Sequence, residues 1–595
     1  MVDPGSTAGP TENQPVPPQA PPAEAQPEAQ PQSVPRQAPP PAAPPRPGPP
    51  PGWPAPPHGW QVARPGWQGP PPGLPPRPLM PPWPVAPPRP SLMSRRWPGP
   101  ASRAAAPVII LGTAGAAAIA AASIPLTRPG LGWLIAGISA TAILTTAAWS
   151  NSRSRNTEAS ERKSRGDSLA TGAWAAATVA LLGVGTLRAA GWLFVLCLLT
   201  AVVTGCLAVS PGRSVAGLLS SLLLPPVAAI RSVPWAARGL SRIGQGRSGS
   251  PGRILATVGV SLGLLVVFGA LFASADVAFA KMLGWLVPDI GPVTVFRAVI
   301  LFPLLVLGLA GGAFLLAAPP DLTGLEAPAR RRVRRLEWAI PLAVLDVLFT
   351  AFVLVQITVL FGGAAHVLSE SGPTFAEYAR RGFWQLLLVT ALTLLVLAAA
   401  ARWAPRDTRA DRILIRVLLG ALALLTLVIV ASALYRMHVY QQAYGFTRLR
   451  VFISAFELWL GLVFILVLGA GLRLRAAWLP RLVVGSAVLC LLTLAALNPD
   501  RFIADQNVDR HETIGRIDVV YLSQLSADAA PALDRLSGQL RDCALHNIAE
   551  KVTEAPDNWR GWNLARAQAR DLVADDPPQQ QPFAECRRIS QRHSR

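Results

Sequence analysis

The chain has 595 residues and a formal net charge of +21, with 51% hydrophobic and only 15% charged residues. Soluble globular proteins carry about 25% charged residues, so the composition excludes an ordinary soluble enzyme. Of the 61 prolines, 37 lie in residues 1–100, because proline breaks helix interiors and must be segregated from them. Only three of the 54 basic residues are lysines, a bias that we attribute to codon usage, and we expect no nucleic-acid partner.

Residues 1–103 are rich in proline, glutamine and alanine and have almost no aliphatic clusters. Such a segment cannot bury enough apolar surface to offset the entropy of ordering, which predicts a disordered cytoplasmic tail. Five tryptophans lie in this segment, and the first three are seven residues apart: Trp53, Trp60, Trp67, Trp83 and Trp97. Aromatic side chains on a stiff, polyproline-like chain favour docking of a cytoplasmic protein partner, and a plain spacer is the alternative.

Residues 104–497 form long apolar runs separated by short polar loops. A helix needs about 20 apolar residues to cross hydrocarbon, and this pattern predicts an all-α, polytopic bundle of about eleven transmembrane helices. The predicted spans are 106–126, 130–149, 169–187, 189–209, 253–274, 297–317, 336–361, 383–401, 413–434, 449–471 and 479–497. Segment 215–240 is interrupted by arginines and prolines, which favours an interfacial or re-entrant element.

Arginine placement predicts the orientation, because basic loops stay in the cytoplasm. With the tail inside, the cytoplasmic loops hold 23 basic residues and the opposite loops hold 8. We therefore expect a plasma-membrane protein with a cytoplasmic N-terminus and an extracytoplasmic C-terminus. Residues 498–595 are polar, with apolar spacings of three and four in 519–525, 529–545 and 562–573, which predicts a small, mostly helical domain outside the membrane.

The five cysteines match no zinc pattern, and we expect neither a metal nor a cofactor. Cys197, Cys206 and Cys490 lie in apolar runs, where cysteine behaves as a small hydrophobic residue. Cys543 and Cys586 lie in the polar C-terminal segment. These two cysteines can form a disulfide if that segment is extracytoplasmic.

All five tyrosines and five of the six histidines fall on segments that we assign to the outside. This bias predicts an outward recognition surface built from two patches. Its candidate residues are Glu377, Tyr378, Arg380, Arg381, Tyr435, Arg436, His438, Tyr444, Arg448 and Arg450. Such a mixture of cations and aromatics suits an envelope lipid or polysaccharide, and anchoring at the membrane interface is the alternative.

Three polar side chains lie inside predicted membrane helices: Asp346, Gln356 and Glu457. Ionisable groups in hydrocarbon are costly and usually face the bundle interior, so these three are the candidate ligand or proton site, with a structural role as the alternative. Other motifs carry no chemistry. Gly259-Val-Ser-Leu-Gly263 lies in a membrane helix without the strand that a hydrolase elbow needs, and with Gly308-x-x-x-Gly312 it indicates packing of small residues.

Several stretches carry a family resemblance. They include Glu377-Tyr-Ala-Arg-Arg-Gly-Phe, Tyr435-Arg-Met-His, Ala443-Tyr-Gly-Phe-Thr-Arg-Leu-Arg450 and Asn498-Pro-Asp500. With the run from Leu336 to Gly363, they resemble the bacterial multi-pass membrane proteins of the domain-of-unknown-function families numbered 4153 and 4173, over roughly 170–575, and the codon bias suits an actinobacterial member. The resemblance implies an integral protein of the cell envelope and supplies no reaction or ligand.

Three functions follow as hypotheses. The leading one is a non-enzymatic envelope sensor or scaffold whose outer surface binds an envelope component and whose tail recruits cytoplasmic partners. The second is a proton-coupled transporter or lipid flippase that uses Asp346 and Glu457. A third, weaker one is a lipid-linked transferase with Glu377 or Glu457 as base.

Overall fold

The structure is a computed structural model that describes most of the chain beyond the N-terminal tail. The described residues are Trp97, 104–153, 161–210, Gly212, 215–245, 251–276, Phe279, 281–282, 291–320, 334–361, 375–404, 408–473, 477–554 and 556–594. They form helices and turns and, within these ranges, no strand. The predicted disorder of the tail lies outside the described residues, Trp97 excepted.

Twelve apolar helices make up the bundle within this part of the chain. They are α1 Pro107–Ser123, α2 Leu131–Arg153, α3 Glu161–Leu187, α4 Gly191–Val209, α5 Val215–Gln245, α6 Pro251–Ala275, α7 Pro292–Ala317, α8 Arg335–Phe361, α9 Phe375–Trp403, α10 Arg409–Tyr444, α11 Arg448–Arg473 and α12 Leu479–Leu497. Ten stretches are long and apolar enough to cross a membrane; α1 and the described apolar part of α6 are shorter. The chain is therefore a multi-pass membrane protein.

Contacts at the helix ends define two ends of the bundle. At one end, which we call the domain end, Leu131 N donates to the Trp562 carbonyl (2.9 Å) of the C-terminal segment, and Arg188 Nε donates to Ala495 O (2.7 Å). At the opposite, far end, Arg481 Nε donates to Gly212 O (3.1 Å). Successive membrane helices run between these two levels in alternating directions.

Helix α5 is the exception to this alternation. Ser221 Oγ, near its start, donates to the carbonyl of Ser210 just after α4, and the Trp235 carbonyl, near its end, accepts from Ala105 N (3.2 Å) just before α1. Both partners lie at the far end. The 31 residues of α5 extend about 46 Å at 1.5 Å per residue, so this helix lies across the far end of the bundle.

For 215–240 the sequence predicted either an interfacial or a re-entrant element. The structure has one continuous helix there. Its buried positions follow a helical period: Gly217, Ser221, Ala228, Ala229, Ser232, Trp235 and Gly239. Ala228 and Trp235 pack with Val209 of α4 and Phe314 of α7. One face thus contacts the bundle while Leu223 and Ile230 on other faces are exposed, a pattern typical of a helix in the membrane interface.

The predicted disordered tail, residues 1–103, extends too far along the chain, because Trp97 is bound to the bundle. The Trp97 side chain is 3% exposed, and its indole Nε1 donates to Ala318 O (2.7 Å). The Arg231 guanidinium of α5 lies 4.7 Å from the Trp97 ring centre and donates to the Trp97 carbonyl (2.9 Å). The chain is therefore tied to the far end at Trp97, inside the segment predicted to be disordered.

Helix α10 begins earlier and ends later than the predicted span 413–434. Thr408 and Asp411 form a capping box that satisfies free amides at its start. The helix then runs through Tyr444 and ends at Gly445, whose φ of +78° suits glycine. Its 36 residues extend about 54 Å, longer than the hydrocarbon core of about 30 Å. Its last turns therefore stand beyond the membrane, where the sequence predicted a loop.

The C-terminal domain is a compact helical unit. Its helices are α13 Pro499–Ile514, α14 Val519–Leu522, α15 Ala530–Leu533, α16 Gly538–Thr553, α17 Leu564–Asp575 and α18 Phe583–Ser594. The predicted piece 529–545 is in fact two helices, and α13 and α18 were not predicted. Ile503, Leu533, Leu545 and Ile548 belong to its core. A disulfide joins Cys543 of α16 to Cys586 of α18, with Cα atoms 5.5 Å apart.

Candidate functional site: the junction of the C-terminal domain with the bundle

The junction centres on Asp500, a fully buried carboxylate in the first turn of α13. Asn498, in a left-handed conformation, separates α12 from α13 and turns the chain so that Asp500 faces the bundle. Arg448 Nε donates to Asp500 Oδ1 (3.0 Å), and its terminal nitrogen donates to Oδ2. Trp192 Nε1 (3.1 Å) and Ser526 N (2.8 Å) donate to the same carboxylate. These donors from α4, α11 and the domain compensate for the burial of a charge.

Asp528 extends this network toward the α3–α4 loop. It is 3% exposed, and its Oδ2 accepts from Ala189 N (2.7 Å) and from Ser526 Oγ (2.9 Å). Burial raises the pKa of Asp528. For Asp500, burial also disfavours the charged form, but hydrogen bonds and the positive charge of Arg448 outweigh it and hold the Asp500 pKa below its usual value.

A second contact joins the domain to the loop before α2 and to the last turn of α3. Asn563 is fully buried; its Nδ2 donates to Gly185 O (2.8 Å), and its Oδ1 caps α17 by accepting from Arg566 N (3.1 Å). A Cβ on Gly130 would lie 2.4 Å from the carbonyl carbon of Gly561. Only glycine at position 130 therefore permits this approach of the two backbones.

The α10–α11 connection is the third contact. Asn507 of α13 binds both backbone groups of Phe446: Oδ1 accepts from N (3.2 Å), and Nδ2 donates to O (2.9 Å). Arg510 Nη2 donates to Ala443 O (2.7 Å). The segment 443–450, which the sequence assigned to outward recognition, is thus held by the domain through its backbone.

The two arginines of this segment have partners within the molecule. Arg448 binds Asp500, and its backbone N donates to the Tyr521 hydroxyl (2.7 Å). Arg450 donates to the carbonyls of Tyr444 and Gly445, and its guanidinium lies 4.4 Å from the Tyr440 ring centre. Burial raises the pKa of Tyr521. Arg448 and Arg450 therefore join parts of the chain to one another.

An exposed surface remains on the protruding end of α10. Tyr435, His438 and Tyr444 are exposed there, and the Tyr444 ring lies 4.9 Å from that of Tyr440. Tyr435 and His438 share one face of α10, and Tyr444 lies about 180° around the helix from Tyr435. We call these three exposed residues together the outer patch. Arg436 lies on another face, where it donates to the side-chain oxygen of Gln356 in α8, so these two predicted site residues are brought together and are separate from the patch.

The other predicted outer residues begin α9. Glu377, Tyr378, Arg380 and Arg381 all lie in this helix. Their side chains lie outside the described part of the structure.

Asp346 and Glu457 lie on two helices that both pack against α10. Asp346 is one turn from Leu342 and from Phe349, two core residues of α8. Both of its carboxylate oxygens, and Oε2 of the 3% exposed Glu457, are buried without a hydrogen-bond partner among the described residues. In the same residues no group of three or more metal-ligating side chains is present.

The sequence missed the residues that build the junction: Trp192, Asp500, Asp528, Asn563 and Arg566. Two signals were present. Asn498-Pro-Asp500 is a turn followed by an acidic first helical turn, and Asn563 stands where an N-cap is expected before α17. Neither signal identifies the partners in the bundle, because those are 52 to 378 positions away along the chain.

Comparison with known proteins assigns a family. The family model described as "Domain of unknown function (DUF4153)" matches residues 176–536, which include α4, part of α3 and the junction residues up to Ser526 and Asp528. The chain belongs to the DUF4153 family. No curated protein and no solved structure matches it. The likeness to the family numbered 4173 and the actinobacterial source stay predictions. In this DUF4153 chain the match ends within the C-terminal domain, before the Asn563 contact.

Proposed function

We propose that this DUF4153 protein is a non-enzymatic sensor or scaffold of the plasma membrane, with the C-terminal domain outside and the tail in the cytoplasm. The observation that carries the proposal is the junction. The Asp500–Arg448 pair, Asp528 and Asn563 hold the domain on the ends of the membrane helices, so a ligand that moves the domain also moves the bundle.

Two features support the orientation. Basic residues concentrate in the segments at the far end of the bundle, which suits a cytoplasmic face. The Cys543–Cys586 disulfide lies in the domain at the opposite end, and disulfides persist in oxidising compartments outside the cytoplasm.

The outer patch is the surface that we assign to an envelope lipid or polysaccharide. Tyr435, His438 and Tyr444 are exposed on helical turns beyond the hydrocarbon, beside the docked domain. Aromatic rings with polar tips bind sugars and interfacial lipids through one apolar face and one hydrogen-bonding edge. On the far side, Trp97 fixes the C-terminal end of the tail to α5 and to Ala318 after α7, which would present a cytoplasmic partner with a tail anchored at a defined place.

A second candidate function is proton-coupled transport through Asp346 and Glu457. The observation that favours it is the set of carboxylate oxygens in these two side chains that are buried without a partner in the described residues. Intramembrane acids of this kind mark proton and ion pathways. The two helices that carry them share α10 as a neighbour.

One complementation experiment separates the two functions. Cells that lack the protein are exposed to envelope stress and rescued by the wild type, by the triple outer-patch variant (Tyr435→Ala, His438→Ala, Tyr444→Ala), or by Asp346→Asn with Glu457→Gln. We expect the triple variant to fail and the carboxylate variant to rescue. The matched control is Phe583→Ala, an exposed aromatic residue elsewhere on the domain.

Membrane levels of every variant are compared by immunoblot, so that loss of protein is not mistaken for loss of function. Failure of the carboxylate variant with rescue by the triple variant would favour transport and refute the sensor. Arg448 is unsuitable for this test because its replacement leaves Asp500 buried without its cation.

A further inference from the structure

An apolar groove of about 360 Å³ opens between the helices of the N-terminal half of the bundle. Helices α1, α2, α3, α4 and α7 form its walls, and Pro225 of α5 closes part of it at the far end. Its lining along α2 runs from Trp133 to Ala148, about 22 Å at 1.5 Å per residue. The groove thus follows most of the depth of a hydrocarbon core of about 30 Å.

Three of the threonine hydroxyls in the groove are already satisfied within the protein. Thr141 Oγ1 donates to Gly137 O (2.9 Å), Thr145 Oγ1 to Ala142 O (2.8 Å) and Thr178 Oγ1 to Trp174 O (2.9 Å). Such bonds to the preceding helical turn leave the hydroxyl hydrogens unavailable. The groove therefore suits hydrocarbon and offers little to a polar solute.

Two glycines keep the groove open. A Cβ on Gly308 would meet no atom within 4 Å, and one on Gly205 would meet only Thr178 at 3.9 Å. Gly312, by contrast, faces Leu144 at 3.0 Å and packs against it. The Gly308-x-x-x-Gly312 motif therefore does two things: Gly312 packs helices, as the sequence predicted, and Gly308 faces open space.

Two arginines flank the domain end of this groove. Arg297 of α7 donates to the carbonyls of Ala121 (3.0 Å) and Ala122 (2.8 Å), between the lining residues Ala120 and Ile124. On the other side, the Arg560 carbonyl accepts from Gly132 N (2.9 Å), next to the lining residue Trp133.

Both guanidinium groups lack an acidic partner in the described residues. Arg297 donates to main-chain carbonyls, and the buried Nε of Arg560 has no hydrogen-bond acceptor among the described residues. Two cations at the same end of the groove, one with a buried donor unused, favour an anion there.

We propose that the groove and this arginine pair together bind an anionic lipid. One hydrocarbon chain lies along α2, α4 and α7 beside Gly205 and Gly308, and the lipid phosphate lies at Arg297 and Arg560. The site places a lipid where the domain contacts α2, so its occupancy adds to the attachment of the domain to the bundle. It does not depend on the outer patch.

The test is native mass spectrometry of the full-length protein in detergent, titrated with phosphatidylglycerol, phosphatidylcholine or glycerol 3-phosphate. We expect phosphatidylglycerol to bind the wild type about tenfold more tightly than phosphatidylcholine, because only the former leaves a net negative charge for the arginines. Glycerol 3-phosphate, which has the phosphate but no chain, should bind too weakly to be retained. Equal binding of the two lipids, or retention of glycerol 3-phosphate, would refute the proposal.

Matched variants locate the site. Arg297→Gln with Arg560→Gln should remove the preference for phosphatidylglycerol, whereas Arg587→Gln, an exposed arginine of the domain, should keep it. Gly308→Leu should weaken both lipids about tenfold by filling the groove. Gly420→Leu is its control, since a Cβ on Gly420 also meets no atom within 4 Å but lies in α10. Equal affinities of Gly308→Leu and Gly420→Leu would exclude the groove.

A second measurement uses the unmodified protein, so that it does not depend on the folding of a variant. Phosphatidylglycerol with a photoreactive group on its acyl chain is cross-linked, and the labelled peptides are mapped. We expect label on the peptide that contains Cys206, a groove residue, and on α7 near Gly308. Label confined to α8–α12 would place the lipid elsewhere and overturn the assignment.

Discussion

At the scale of single residues, Asp500 has the most demanding environment at the junction. Its carboxylate is fully buried and receives hydrogen bonds from Arg448, Trp192 and Ser526. A buried ion pair adds little to stability relative to a well-packed apolar pair, but the loss of one partner leaves a buried charge and costs about 3–5 kcal/mol. The role of this pair is therefore best tested by replacing Asp500. Arg448, which stays charged, is one-third exposed and can reach water.

We predict that Asp500→Asn destabilises the docked domain, and that the difference from wild type depends on pH. The Asp500 pKa is below its usual value in the folded protein, so its contribution is complete above about pH 4, the ordinary value for Asp. It is lost as the pH falls through the folded-state pKa. Free energies of unfolding of the two proteins are measured at pH 7, 5 and 3. The difference between them should be the same at pH 7 and 5 and smaller at pH 3.

The control for this comparison is Asp518→Asn. Asp518 lies in the same domain and accepts from Ser590 Oγ (2.8 Å), and it takes no part in the contact with the bundle. The Asp518→Asn variant should not show the same pH-dependent difference from wild type. A gap between wild type and Asp500→Asn that persists unchanged at pH 3 would contradict an ionised Asp500.

The same residues show where sequence reasoning reaches its limit. Composition and spacing single out Arg448, Arg450 and their aromatic neighbours as unusual, and the structure does give this segment a specific role. The partners of Arg448 could not be predicted, because Asp500 and Tyr521 lie 52 and 73 positions further along the chain. Only the fold brings such groups together, and local patterns carry no information about that distance.

At the scale of elements, the length of an apolar run predicts a membrane helix well. It does not predict how that helix is oriented relative to its neighbours. The runs of about 20 apolar residues are all helical where described, because hydrocarbon leaves the backbone no other partner. Helix α5 satisfies the same length and composition as its neighbours. Its contacts with the ends of α1, α4 and α7 show that it lies across the bundle, and these contacts depend on small residues that hydropathy does not weigh.

We predict that Gly311→Leu separates α5 from α7, whereas Gly308→Leu does not. A Cβ on Gly311 would lie 2.7 Å from Ala229 N and 2.8 Å from its Cα, which are backbone atoms that cannot yield. Overpacking of this kind costs about 1–3 kcal/mol. Thermal unfolding in detergent should show a lower midpoint for Gly311→Leu than for Gly308→Leu. Equal midpoints would mean that α5 does not rest on α7 at this point.

At the scale of the whole molecule, the position of α5 decides on which sides of the membrane the two ends of the chain lie. If the other eleven apolar helices all cross and α5 lies in the interface, the tail and the C-terminal domain lie on opposite sides. If α5 crossed as well, the tail and the domain would share one side, and the arginine-rich segments would no longer fall together. The contacts of both ends of α5 with the far end favour the first arrangement.

We predict that whole cells expose residues 442 and 580 to an impermeant thiol reagent and protect residues 20 and 329. Cys197, Cys206 and Cys490 are replaced, the Cys543–Cys586 disulfide is kept, and single cysteines are introduced as Ala20→Cys, Ala329→Cys, Gln442→Cys and Gln580→Cys. Gln442 and Gln580 are exposed at the domain end, and permeabilised cells, in which all four positions should react, are the control. Labelling of 20 together with 580 would show that α5 crosses the membrane. Labelling of 20 and 329 with protection of 442 and 580 would invert the protein, place the outer patch in the cytoplasm and refute the envelope sensor. The proposed lipid site would stand, because its groove and arginine pair do not depend on the orientation.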